Sequence, residues 1–315
     1  MRCRIGRADA RDTFFARERL VGTEERFEYA RCPACGCVQI VTVPADLARH
    51  YGGDYGTAHA SPFKTWARAA LYRAVDRPGF VSRALGLAFP PANAGVLAAL
   101  RARRVPRDAS VLDVGAGSGR FLLGLRALGY TGRLIGVDPF LSADRRVRDV
   151  TLLSRELADV EGRFDVITMI HTLEHLPDQV ETLRHVCSKL APGGVAVITV
   201  PLAGGWADEH YGIDWVQLDP PRHLYLHTER SLTDAACQSG LTLLDVTFDS
   251  TSFQFWGSER VRRRQPILPF SRSYLVSLPS VPRGAWRAAR LNARRLGDQA
   301  TFTLQPADRS RSGSG

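Results

Sequence analysis

The stretch VLDVGAGSGRF, residues 111–121, limits the fold more than any other. An apolar run ends in an acid, and three glycines follow at every second position: Gly115, Gly117 and Gly119. The helix-like pattern GRFLLGLRALG comes next. A short buried strand, a tight glycine turn and a helix in succession open an α/β unit built on a parallel sheet. The alternation continues from there. RLIGVD, DVTLL, FDVITMI and VAVITVP read as the second to fifth strands, LTLLDVTF as the sixth and ATFTL as the last. Between them DQVETLRHVCSKLAPGG reads as a helix with a Pro-Gly-Gly stop, and ERSLTDAACQSG as another. The expected fold is a Rossmann-like, seven-stranded, mostly parallel sheet with helices on both faces.

In such sheets ligands bind beyond the carboxyl ends of the strands, where the glycine loop lies. Glycine lets a ligand approach the backbone with no Cβ in the way. A Walker loop would end in Gly-Lys-Ser/Thr, and this one ends in Gly119-Arg120-Phe121. A dinucleotide loop spaces its glycines G-x-G-x-x-G and offers a helix N-terminus to a pyrophosphate. Here the spacing is G-x-G-x-G, and Asp113 is an unfavourable neighbour for pyrophosphate. It suits a cationic amino-acid group. A cofactor with adenosine at one end and an ammonium and a sulfonium at the other fits better than either nucleotide.

The pattern resembles motif I of the class I S-adenosylmethionine-dependent methyltransferases, over residues 108–250 with a last strand carrying it to 304. The resemblance implies S-adenosylmethionine as cofactor, contacted by Asp113, Gly115, Ala116, Gly117 and Gly119. In LIGVDPF it implies that Asp138, followed by Pro139, holds both ribose hydroxyls. FDVITMIHTLEHLPD is similar to the fourth strand and loop of members with an H-x-x-E-H-L-x-D signature. WVQLDPPRHLYLHTERSL and GDQATFTL are similar to segments of one bacterial subgroup. Many members place an adenine-binding aspartate after the third strand, and here VTLLSREL offers Ser154 and Glu156 instead. HYGGDYGTAHASPF resembles a tyrosine-rich segment laid over the cofactor, with Tyr51 or Tyr55 closing the site and His171 lining it.

Methyl transfer from a sulfonium is a displacement at carbon. Alignment of the reactants can supply up to ~7–11 kcal/mol, and a general base about 10²–10⁴-fold in rate for a hydroxyl nucleophile. Histidine is the natural base near neutral pH. The candidates are His171, at the end of the fourth strand, with His175, His223 and His227. His223 is expected to face the substrate, with His171 and Glu174 as further catalytic candidates and His175 shaping the cofactor pocket. Arg222 is expected to bind a carboxylate or phosphate or to pair with Asp219. The expected reaction is O-methylation of a small-molecule or glycan-type acceptor. Methyltransferases of nucleic-acid bases carry [N/D/S]-P-P-[aromatic] after the fourth strand, where this chain has IHTLEHLP. An RNA or other nucleic-acid methyltransferase is therefore the disfavoured alternative, and a non-catalytic cofactor-binding scaffold the other.

Four of the six cysteines lie in the first 37 residues, which reads as metal binding before disulfides. FEYARCPACGCVQIVTV reads as strand, tight knuckle, strand, and RCPACGC resembles one knuckle of a zinc ribbon. The start reads CRIG, so Gly6 stands where the companion of Cys3 belongs. The resemblance leaves Cys3, Cys32 and Cys35 as zinc ligands, with Cys37 a candidate fourth. The expected organisation is a degenerate ribbon-like appendage over 1–45, a helical linker over 46–105, the methyltransferase domain over 106–304 and a disordered tail over 305–315. SPFKTWARAALYRAVDR and PPANAGVLAALRARR are the linker's helices.

The net charge is +10, and residues 260–296 hold ten arginines and no acid. They belong to an insertion over 251–298. In GAWRAARLNARRLG, Trp286, Ala289, Ala293 and Leu296 share one helical face, away from Arg287, Arg290 and Arg294. This is expected to be a solvated lid, or else a surface holding an anionic or lipid-linked substrate near a membrane. Residues 1–20 hold no apolar core of a secretory signal, and no apolar run approaches the ~18–20 residues that span a bilayer. A cytoplasmic location is expected.

Overall fold

Strands β4 (Val111–Val114), β5 (Leu134–Val137), β7 (Val150–Leu153), β8 (Phe164–Ile170) and β9 (Leu190–Pro201) pair in parallel. The computed structural model that shows this describes residues 1–51, 93–265, 267 and 281–308. The helix expected over 61–77, Tyr55 and residues 266 and 268–280 of the arginine-rich segment lie outside the described residues. Strand β12 (Gln299–Pro306) is antiparallel to β9, and β11 (Leu241–Phe248) is antiparallel to β12. An eighth strand, β6 (Arg145–Val147), pairs antiparallel with β7 at the far edge, one more than the sequence pattern indicates. The order is β11-β12-β9-β8-β4-β5-β7-β6. β6 escapes sequence reading because three residues, two of them arginine, carry no apolar alternation.

The sheet is covered on both faces, as a parallel sheet must be. Val111, Val166, Val195 and Val197 point to one face, with Leu122 and Leu125 of α2 (Arg120–Ala127) and Val96 and Leu100 of α1 (Ala94–Ala102). Leu112, Ile167, Ala196 and Ile198 point to the other. They meet Leu183 and Val186 of α3 (Gln179–Lys189) and Leu232, Ala235 and Ala236 of α5 (Glu229–Gln238). Helix α1, in the span expected as linker, buries its apolar face against the sheet. At the other end β12 runs to Pro306, inside the span expected as tail, and residues 309–315 of that span lie outside the described residues. Helix α3 starts on Asp178, whose side chain accepts from the Glu181 amide. It ends at Lys189. The expected Pro-Gly-Gly stop is instead the start of β9, where pairing with β8 shifts register between Phe164 and Val166.

The N-terminal sheet takes one strand from the rest of the chain. β1 (Asp12–Arg17), β2 (Arg26–Arg31) and β3 (Val38–Ile40) form a sheet with a fourth member, β10 (Tyr225–Leu226), from the segment after β9. Ile5, Tyr29, Val38 and Ile40 are buried in one cluster with Leu224, Tyr225 and α5. Fully burying a side chain of this size contributes about 1.5–3 kcal/mol, so the two regions stabilise each other.

The arginine-rich segment also differs from expectation. Helix α7 (Val281–Ala293) buries Val281, Gly284 and Ala288, while Trp286 is 60% exposed. A Cβ at Gly284 would stand 2.8 Å from Ser252 Cβ, at the start of α6 (Phe253–Arg262). Small residues let the two helices approach closely, and that contact outweighs the larger apolar stripe. Arg287 does not point away. Its guanidinium lies over the rings of Phe255, at 4.5 Å, and Trp206. Arg262 and Arg263 pair with Glu259, and Arg295 with Glu229.

Candidate active site

Three carboxyl ends stand side by side at the centre of the sheet, those of β5, β4 and β8. The glycine loop leaves β4, Asp138 follows β5, and His171 follows β8. The loops interlock. Thr172 donates to the Val114 carbonyl at 3.0 Å, and a Cβ on Gly115 would lie 2.3 Å from its hydroxyl. Gly115 also has φ +74°, so this glycine is required by the neighbouring loop before any ligand is considered. Asp138 Oδ2 accepts from the Gly117 amide at 2.9 Å and Oδ1 from the Phe140 amide at 3.0 Å. The acid is thereby fixed against the glycine turn. Gly119 caps α2, and Ala116 is half-buried between the glycines. Asp113 is buried in β4, and Thr168 donates to it at 2.7 Å. Burial raises its carboxyl to about 7, and the Thr168 hydrogen bond opposes the shift.

Ser154 and Glu156 are placed less favourably for adenine. The Ser154 hydroxyl donates to the Leu141 carbonyl at 2.5 Å, and the Glu156 side chain is exposed. Pro139 is exposed, and beside it Phe140, 71% exposed, stacks on Tyr51 at 5.9 Å. Phe140 is a site candidate that motif reading passed over. Its signal was a large apolar residue directly after Asp138-Pro139.

The histidines separate into distinct roles. His171 has φ +51°, rare for a residue with a side chain, and its ring is 38% exposed. Its Nδ1 is 3.2 Å from Glu174 Oε1. Burial works against a charged imidazole here, but the hydrogen bond and charge of Glu174 prevail and raise the His171 pKa. Burial likewise opposes the Glu174 charge, yet His171 and the neighbouring histidines hold the carboxyl at about 2. Among the described residues, Glu174 Oε2 has no hydrogen-bond partner.

His223 is buried, with Nδ1 2.6 Å from the Gln217 carbonyl. A carbonyl only accepts, so Nδ1 carries the hydrogen and Nε2 is left as the acceptor. Burial lowers its pKa to about 4, with the Asp219 charge opposing. His175 Nδ1 lies 2.9 Å from the Arg222 carbonyl and 3.2 Å from the Tyr51 hydroxyl. The rings of His175 and His223 meet edge-on at 4.8 Å. Glu174, His175 and His223 bring one donor atom each within 4.8 Å of one another, an arrangement that can share a proton or a cation. His227 is wholly buried between Ser231 and Gln179, away from this group. Arg222 is also consumed internally. It is fully buried, pairs with Asp219 through Nε at 2.9 Å and through Nη2, reaches Glu18 at 3.6 Å and donates to the His50 carbonyl at 2.7 Å. Tyr29 donates to the His223 carbonyl at 3.0 Å. The N-terminal sheet therefore holds the backbone that carries His223, a dependence that no local motif shows.

At the turn that joins β2 to β3, Cys32 and Cys35 place their sulfurs within 4.8 Å of each other and of Cys3. All three are buried. Cys37 does not join them. Its thiol lies 3.7 Å from the Val38 carbonyl, and burial pushes it up to about 12. Three thiols converging in this way are a donor set that fits a soft, tetrahedral-seeking cation such as zinc. No helix among the described residues is long and apolar enough to cross a membrane.

Residues 90–246 match the profile of a family described as a methyltransferase domain. Over 106 residues the chain is 35% identical to the ubiquinone biosynthesis O-methyltransferase of Xanthomonas axonopodis pv. citri (strain 306), a match covering 30% of this chain and 43% of that protein. The protein of the same description from Marinobacter nauticus (strain ATCC 700491 / DSM 11845 / VT8) is 33% identical over 96 residues, covering 26% of this chain and 40% of its own. The chain thus spans less than half the length of these relatives. Among solved structures, the magnesium protoporphyrin IX methyltransferase of Synechocystis PCC 6803 with bound S-adenosylhomocysteine is similar at a TM-score of 0.43. It is 14% identical, with 76% of this chain and 94% of that one covered.

Proposed function

The chain belongs, through residues 90–246, to the class I S-adenosylmethionine-dependent methyltransferases, and from that premise we propose that it methylates an oxygen of a small-molecule acceptor, with His171 as general base. One observation carries the reading. The glycine loop, Asp138 and the His171–Glu174 pair stand at the carboxyl ends of three adjacent parallel strands, β4, β5 and β8. The residues suit the cofactor: Asp113 is a buried carboxyl whose charge burial opposes, and Asp138 is an acid already fixed at the turn. Asp113 would meet the ammonium end and Asp138 the ribose hydroxyls. Bound there, S-adenosylmethionine supplies an electrophilic methyl group on a good leaving group.

The acceptor hydroxyl gives its proton to His171 Nε2, because Nδ1 is engaged by Glu174. Glu174 fixes the ring and stabilises the imidazolium that forms, as a buried carboxylate does for a catalytic histidine. His223 is the weaker base, since its lowered pKa reduces the driving force for proton transfer. It is assigned the role of an acceptor that orients the substrate beside His175. Oxygen as the methylated atom is supported by the described activity of the two matched relatives.

Calorimetric titration with S-adenosylhomocysteine, followed by transfer of labelled methyl to a panel of phenols, tests the proposal. Binding and labelling of a phenol support it. Binding of NADH in place of S-adenosylhomocysteine, or labelling of amines alone, overturns it.

A further inference from the structure

The first residues of the chain repeat the backbone of the cysteine knuckle. In the knuckle, the Cys32 carbonyl accepts from the Gly36 amide at 2.9 Å, and Gly36 has φ +74°. Near the start, the Cys3 carbonyl accepts from the Arg7 amide at 3.1 Å, and Arg7 has φ +55°. Cys3 matches Cys32, Arg7 matches Gly36, and Gly6 stands where Cys35 stands. A Cβ built on Gly6 points at the sulfurs, 3.0 Å from Cys35 Sγ and 3.5 Å from Cys32 Sγ. The missing side chain is thus the fourth of a four-cornered set. Gly6 is half-buried, so that corner adjoins solvent.

Cys3 is not left as an ordinary buried thiol. The buried Gln39 amide donates to Cys3 Sγ at 2.8 Å, and its own oxygen accepts from the Arg4 amide at 3.1 Å. The Gly6 amide donates to the same sulfur at 3.2 Å. Donors aimed at sulfur stabilise a thiolate, and such outer contacts orient metal ligands. We propose that Cys3, Cys32 and Cys35 hold one Zn²⁺ as three thiolates, with the fourth coordination position open at Gly6 to water or a small exogenous anion. Binding releases the thiol protons.

The site bears on the active site through short links. Thr228, the N-cap of α5, donates to the Cys35 carbonyl at 2.5 Å, and β3 pairs with Tyr225 and Leu226, one residue beyond His223 across Leu224. The cation therefore braces the sheet that holds the His223 backbone.

The test is native mass spectrometry of the reduced full chain with Zn²⁺, together with the sulfur-to-metal charge-transfer band after loading with Co²⁺. The wild type is expected to take up one equivalent and to show the band. Cys37→Ser is expected to leave both unchanged, Cys35→Ser to lose both, and Gln39→Leu to weaken binding about 10–100-fold. Gly6→Cys is expected to bind more tightly and to intensify the band. Zinc uptake by Gly6→Cys with none by the wild type overturns the proposal, as does absence of uptake by both. Loss of the metal in Cys37→Ser overturns the ligand assignment. The Cys37 and Gly6 variants keep the test decisive if Cys35→Ser does not fold.

Discussion

The cofactor edge and the histidine edge of the site adjoin at the carboxyl ends of neighbouring strands, but they are built differently. At the cofactor edge each group sits on the strand or turn that precedes it in sequence: Asp113 within β4, Gly115 to Gly119 directly after it, Asp138 directly after β5. At the histidine edge the groups come from separate stretches. His171 to His175 follow β8, Arg222 and His223 lie before β10, and from the first 50 residues Tyr29 holds the His223 carbonyl while Glu18 and the His50 carbonyl hold Arg222. Local geometry positions the first edge, and long-range contacts position the second. Damage to the N-terminal sheet should therefore reach the histidines and spare the cofactor.

His171→Gln should have the largest effect, lowering kcat/KM by about 10²–10⁴-fold with the S-adenosylhomocysteine affinity unchanged. Its raised pKa also places the acid limb of the wild-type rate profile above the ordinary histidine value, because the base must be unprotonated. In Glu174→Gln that limb should move to lower pH. If instead His223→Gln abolishes transfer and His171→Gln does not, the base has been assigned to the wrong side of the group.

Arg222→Met comes next. It leaves Glu18 and Asp219 as buried carboxylates without their shared cation, and breaking such a pair costs about 3–5 kcal/mol. Denaturant unfolding should show that loss, with S-adenosylhomocysteine binding to the folded protein little changed. The Glu18 contribution has a definite sign. Burial disfavours its charge, but four backbone amides and Arg222 outweigh that and lower its pKa. Its contribution is present above the ordinary glutamate value and lost as the pH falls through the folded value. A cofactor affinity that falls as steeply as the stability would erase the contrast between the edges.

Asp138→Ala tests the other edge. A hydrogen bond to a charged group contributes about 1.5–3 kcal/mol, so loss of the ribose contacts should weaken S-adenosylhomocysteine about 10–100-fold while the melting temperature stays close to wild type. A drop in stability without loss of binding would mean that Asp138 serves only the glycine turn.

The same contrast explains what could be seen in the sequence. The strand order around β4 and the acid after β5 follow from apolar runs and a glycine spacing, which are local signals. β6 and β10 are too short to have a period, and the tie of β10 to β3 joins residues nearly two hundred apart in the chain. Beside Asp219 and His223, Arg222 reads as an anion binder or as the partner of Asp219, and the fold pairs it with Asp219. Only the fold shows Glu18 and the His50 carbonyl closing around it. In α7 the sequence groups Trp286 with Ala289, Ala293 and Leu296 on one face, whereas the close contact with α6 is made at Gly284. Cys37 looks equivalent to its neighbours by spacing, and the direction of its side chain separates it.

Asp113 gives the finest measure of the cofactor edge. Its carboxyl, raised to about 7 by burial, is half protonated near neutrality before a ligand arrives. The unfolded chain holds it at the ordinary value near 4, so between about pH 4 and pH 7 the folded state binds the extra proton. The favourable contribution of that proton is fully present below the unfolded value and fades as the pH rises through 7. A cationic amino group needs the opposite form. Binding of S-adenosylhomocysteine should therefore strengthen about tenfold from pH 6 to pH 8, as the ionised fraction rises through the midpoint. Asp113→Asn, which cannot ionise, should bind more weakly at pH 8 and with a flat profile. Calorimetry at the two pH values in buffers of different ionisation heat reads both the affinity and the proton released. Equal slopes in the wild type and the variant would remove Asp113 from the ammonium contact and leave it a packing residue beneath the glycine loop.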